Sequence, residues 1–155
     1  MSKENSFTTK AAREQKALNW FITSKPLEEI TSTPTFNQYD HFDSHLISGG
    51  TNYLTEVKVR TDYTYEQIEK FGGSFLEFTK IEGIRQYKEL NQRNDSILYF
   101  NFYKDCLVIY EVSDYLPNYD WQMKWLQKND YDKTMIWKWV TCLRKENIIE
   151  IIKYK

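Results

Sequence analysis

A chain of 155 residues, 41% of them hydrophobic, can bury the core of one domain and is short for two. Its 21 Lys and Arg stand against 22 Asp and Glu, which excludes a global basic field, so any nucleic-acid contact must rest on local patches. The first residues, Met1 to Ser6, lack the apolar stretch of a signal peptide, and no apolar run approaches the ~20 residues of a membrane span. A soluble, cytoplasmic protein without membrane partners is expected. Cys106 and Cys142 lie in apolar runs without CxxC or histidine spacing, which predicts buried thiols in a reducing compartment and no structural zinc.

The segment Thr9 to Thr23 predicts a helix, with Ala11, Ala12, Leu18, Phe21 and Ile22 as its apolar stripe and Pro26 beyond its end. Ser24 to Phe36, rich in Ser, Thr and Pro, predicts a connecting loop. Strands are expected over His41 to Ile47 and Tyr53 to Arg60, joined at Gly49-Gly50, where a type I′ turn requires positive φ. Thr64-Tyr65-Glu66-Gln67 has the form of a capping box and opens a short helix that Gly72-Gly73 ends. A third strand over Ser74 to Phe78 follows, then a helix to about Gln92 behind a second capping box, Thr79-Lys80-Ile81-Glu82. Ile97 to Tyr103 and Cys106 to Val112 predict a hairpin of core strands turning at Lys104-Asp105. Trp121, Trp125 and Leu126 recur at helical spacing. Met135 to Leu143 and Ile148 to Tyr154 predict a closing strand pair around Lys145-Glu146-Asn147. One domain over residues 1–155 is the reading, with a core at about 9–112 and an aromatic-rich extension at 113–155.

The Gly-Gly turn fixes a register. Ser48 opposite Thr51, carried outward, sets Asp43 opposite Glu56 and His41 opposite Lys58 on one face. Two carboxylates meeting head-on destabilise a sheet by up to ~1 kcal/mol, which invites a cation or a pKa shift. Asp40, three residues upstream, is a competing acid on the opposite face of a regular strand. Elsewhere, Lys80, Arg85 and Lys88 fall within an arc of about 140° on the second long helix, and with Arg60 and Arg93 they make a candidate phosphate-contacting patch. Asn101 shares a face with Tyr99 and Tyr103 and is a candidate accessory residue, as is His41. Trp137 and Trp139 share one strand face, marking the C-terminal region as core or as an interface for a second copy or a protein partner.

The order helix, three strands, helix and strand, with an acid in the first strand and Glu56-Val57-Lys58 in the second, resembles the core of the PD-(D/E)XK nuclease superfamily. The resemblance implies an α/β (α+β), restriction-endonuclease-like fold with a mixed central sheet, here with an extra C-terminal hairpin. It implies a hydrolase that cuts phosphodiester bonds of nucleic acid, DNA foremost, with Mg2+ or Mn2+ as cofactor. Asp43 and Glu56 would be metal ligands, the Val57 carbonyl a further donor, Lys58 the catalytic lysine that orients water, and Glu14 an added ligand from the first helix. The alternative is a nuclease-fold protein without catalysis, serving as a nucleic-acid-binding or protein-assembly module, with Glu56 and Lys58 as ordinary solvent-facing strand residues.

Overall fold

Residues 96–103, Ser-Ile-Leu-Tyr-Phe-Asn-Phe-Tyr, are apolar on both sides of a strand, and such a strand needs a covering layer on each face. The computed structural model describes residues 3–24, 30–34, 42–128 and 132–154. In chain order these form α1 (Lys3–Thr23), β1 (Ile30–Pro34), β2 (Ser44–Ser48), β3 (Thr51–Arg60), α2 (Tyr65–Lys70), β4 (Phe75–Glu77), α3 (Phe78–Leu90), β5 (Ser96–Tyr103), β6 (Cys106–Val112), β7 (Gln122–Gln127), β8 (Met135–Cys142) and β9 (Ile148–Lys153). A six-stranded sheet runs β1-β2-β3-β5-β6-β9, and a three-stranded one β4-β8-β7. Within the larger sheet β3 and β5 are parallel and the other neighbours antiparallel, so it is mixed. Leu18 and Phe21 of α1 pack with Val57, Leu98, Phe100 and Phe102 on one face. Ile81 and Ile84 of α3 pack with Leu54, Ile97, Tyr99 and Tyr103 on the other. Among the described residues no helix is long and apolar enough to cross a membrane.

Several sequence expectations hold. Gly49 and Gly50 adopt φ of 57° and 81°, and Ser48 pairs with Thr51. The Thr64 capping box forms in full, and Gly72 and Gly73 take the positive φ that ends α2. The β5–β6 hairpin forms as read.

Others do not. The loop expected over Ser24 to Phe36 contains β1, which admits Pro34 because an edge strand has one ladder side without a partner. The Thr79 capping box is absent: α3 starts at Phe78 behind Glu77, which makes no side-chain cap bond. Residues 122–127 are a strand, not a helix. The i, i+4 spacing of Trp121 and Trp125 is equally compatible with the alternation Met123, Trp125, Gln127, and pairing with β8 decides between them. The closing strand pair also fails, since β8 pairs with β4 while β9 extends the larger sheet beside β6. Cys106 is buried as expected, whereas Cys142 is only half-buried, and both are free thiols.

Candidate functional site

The β2–β3 ladder keeps the predicted register from Ser48–Thr51 to Ser44–Thr55 and stops there. Asp43 therefore does not sit head-on to Glu56 within the ladder. Its N–H donates to the Thr55 carbonyl at 2.7 Å, and its Oδ2 accepts the Val57 N–H at 2.6 Å. The carboxylate takes an amide that a longer β2 would have paired, a competition between side chain and ladder that short acidic residues regularly win. This holds Asp43 beside Glu56. His41 and Asp40 lie outside the described residues.

Around this point the chain gathers acids and lysines from separate elements. Glu56 and Lys58 project from the same face of β3, Glu14 and Lys10 come from α1, and Lys80 from the first turn of α3. Lys58 and Lys80 each place Nζ 3.3 Å from Glu56 Oε1, and Lys10 Nζ lies 3.6 Å from Glu14 Oε1. Glu56 and Glu14 are both buried. Burial pushes the Glu56 carboxyl up, but the charges of Lys80, Lys58 and Lys10 outweigh it and hold the group below its usual range. Burial would likewise deprotonate Lys58; Glu56, Tyr99, Glu14 and Asp43 more than reverse it and keep the ammonium. Asp43 goes the other way. Burial first, then repulsion from Glu56 and Glu14, raises it well above the usual carboxylate range, against the pull of Lys58 and the Val57 N–H.

These residues line a cleft of about 340 Å³ between the two sheets. Arg60 lines it too and donates to Asn101 Oδ1 at 3.0 Å, while Asn101 sits fully buried beside Lys58 on β5. The remaining residues of the proposed phosphate patch do not reach the cleft. Arg85 bridges Glu82 and Glu89, Lys88 pairs with Asp114 at 2.9 Å, and Arg93 pairs with Asp95 at 2.7 Å. Sequence reasoning assigned Lys80 to that patch and missed its contact with Glu56. It missed Lys10, Lys128 and Lys138 altogether, which join the cleft from α1 and from the β7–β8 ribbon. Only the i, i+4 pair Lys10 and Glu14 left a readable trace.

In comparison with known proteins, no family model, curated protein or solved structure matches the chain. The site must be judged on its own atoms.

Among the described residues, no three His, Cys, Asp or Glu side chains are grouped to hold a metal ion, so Glu14 does not complete a set with Asp43 and Glu56. What remains for a hard cation is oxygen from Asp43 and Glu56, with the Val57 carbonyl between Glu56 and Lys58. Glu56 Oε2 is buried and has no hydrogen-bond partner among the described residues, an acceptor for which a cation is a fitting occupant. A divalent ion there would also offset the repulsion at Asp43. Carboxylate and carbonyl oxygens are the donor types that hard divalent cations such as Mg2+ and Mn2+ take.

Proposed function

We propose that the cleft is the active site of a divalent-metal-dependent nuclease that hydrolyses phosphodiester bonds of nucleic acid, with DNA the favoured substrate. The observation that carries the reading is the unpartnered, buried Oε2 of Glu56 set beside Asp43 in a cleft rich in lysine. The chain order α1, β1-β2-β3, α2, β4, α3, β5 contains a helix, three strands, a helix and a strand in the sequence of a PD-(D/E)XK-like core once α2 and β4, which lie outside the larger sheet, are set aside. The three consecutive strands are β1 to β3, where the sequence suggested β2 to β4.

Mg2+ or Mn2+, held by Asp43, Glu56 and the Val57 carbonyl, would polarise the scissile phosphate and lower the pKa of a water. Glu56 foremost favours the charged form of Lys58 against burial, and the ammonium 3.3 Å from Glu56 Oε1 would serve as a positive charge and hydrogen-bond donor that orients the attacking water. Lys80 offers a second ammonium where negative charge builds on the phosphate.

Calorimetric titration of Mn2+ into wild-type protein and Glu56→Gln, with plasmid and single-strand cleavage run on the same samples, tests the assignment. Metal binding lost in Glu56→Gln and cleavage lowered by about 10²–10³ in Lys58→Ala are expected. Full cleavage by Lys58→Ala, with its circular dichroism unchanged, would sink it. The second reading, a non-catalytic assembly module, draws on the exposed Met123, Trp125, Met135, Trp137 and Trp139 of the β7–β8 ribbon, residue types that interfaces favour. It predicts self-association without cleavage.

A further inference from the structure

The cleft is bounded on two sides. One side is the β3 face with its neighbouring helices, bearing Lys10, Lys58, Arg60 and Lys80; the other is the β7–β8 ribbon, bearing Lys128 and Lys138. Leu126 and Val140 from the ribbon complete the second wall.

That wall is fastened. Glu77 pairs with Val140 in the β4–β8 ladder, and Lys138 Nζ bridges Glu77 Oε1 at 2.8 Å and the Lys128 carbonyl at 2.7 Å. The ribbon is thereby tied to the start of α3, the helix that carries Lys80.

A space of about 340 Å³ is at the small end of the ~300–1,000 Å³ range of small-ligand clefts, with room for about one nucleotide unit. A duplex is far larger: its major groove alone is ~12 Å wide. The fastened ribbon stands over Glu56, which is buried at the β3 side of the cleft, so the second strand of a duplex would have to share the space that Leu126, Lys128, Lys138 and Val140 occupy. A single strand makes no such demand and would meet cations on both sides, whereas a duplex lying on one face would meet only one set.

We propose that the cleft admits a single nucleic-acid strand, such as a free end or an unpaired flap, and excludes a continuous duplex. The inference rests on reading the cleft as a nucleic-acid site. It adds what the nuclease assignment leaves open, the strandedness of the substrate. Specificity then comes from the fixed ribbon acting against the bulk of a second strand.

The test is fluorescence anisotropy of a labelled 12-nucleotide single strand against the blunt 12-base-pair duplex of the same sequence, in Ca2+ at low salt, with cleavage of both assayed separately in Mg2+ and Mn2+. The single strand is expected to bind at least about tenfold tighter. Lys138→Met and the more conservative Lys128→Met are each expected to weaken strand binding severalfold, the second without touching the Glu77 pair. Equal or tighter duplex binding, binding of neither, or strand binding unchanged in both variants overturns the proposal. A strand that binds selectively but is never cut upholds it and sinks the hydrolytic reading alone.

Discussion

The centre of the larger sheet and the outer face of the β7–β8 ribbon break opposite halves of the rule that apolar groups go inside and charges outside. At the centre, Glu56 is 3% exposed among lysines and further acids. On the ribbon, the cross-strand neighbours Trp125 and Trp137 are 51% and 61% exposed, their ring centroids 5.4 Å apart, and Trp139 beside them is 51% exposed. Stability explains neither arrangement. A buried charge is held only where each desolvated group has a partner, and at Glu56 that condition is met for one oxygen and not the other. A contiguous apolar face left in water gives up the stabilisation that burial would bring. The ribbon joins both exceptions, because its inner face carries Lys138 into the cleft while its outer face carries the tryptophans.

Substitutions can break the contrast at graded cost. Phe100, fully buried where α1 meets the sheet, sets the upper end: Phe100→Ala is expected to lose about 3–5 kcal/mol in urea unfolding. Glu56→Gln comes next, at about 2–3 kcal/mol, because it leaves Lys58 and Lys80 facing each other without their shared carboxylate; a loss below ~0.5 kcal/mol would show that the lysines are fully solvated there. Asp43→Asn should instead stabilise, by about 1 kcal/mol, while ending any metal-dependent cleavage. Its sign follows from linkage. The native Asp43 carboxyl titrates above the usual 3.8, so the folded state holds this proton longer than the unfolded chain does. Stability is therefore lost as pH climbs from about 3.8 through the raised native value, and stays lost beyond it. Asp43→Asn should flatten that part of the pH–stability profile, and an unchanged slope would contradict the assigned repulsion. Smallest is Trp137→Ser, expected to shift unfolding by less than about 0.5 kcal/mol and, on the assembly reading, to lower self-association in analytical ultracentrifugation. A large loss of stability there would mean that the ribbon face is part of the core.

Much of the centre was legible in the chain because its signals are local. Gly49-Gly50 demanded one turn, the turn fixed the register as far as Ser44–Thr55, and beyond the end of that ladder the Asp43 carboxylate on the Val57 N–H keeps it near Glu56. The strand alternation correctly placed Glu56, Lys58 and Arg60 on one face, and the apolar, aromatic-rich sequence of β5 announced a core strand. What escaped depended on distant pairing. The sequence 74–78 reads as a strand whichever sheet it joins, and only β8, more than fifty residues later, draws β4 out of the central sheet. Residues 121–126 satisfied two periodicities at once, and the partner strand chose. Lys80 looked like one cation on a basic helix face because nothing near it in sequence reveals that the first turn of α3 points at Glu56. Lys138 was hidden for the same reason.

The β4–β8 pairing also sets an order of events. The chain between β3 and β5 contains β4, so β4 is made early and stays without its ladder until Met135–Cys142 have been synthesised. Contacts this far apart in sequence form slowly, since a long loop must close before any of them is gained. On a ribosome, the acids and lysines of β3 and α3 would meet one another while one side of the cleft is still open water. The cleft is completed only when the last third of the chain arrives, and a message truncated after β6 would lack the second wall together with the partner strands of β4 and β6.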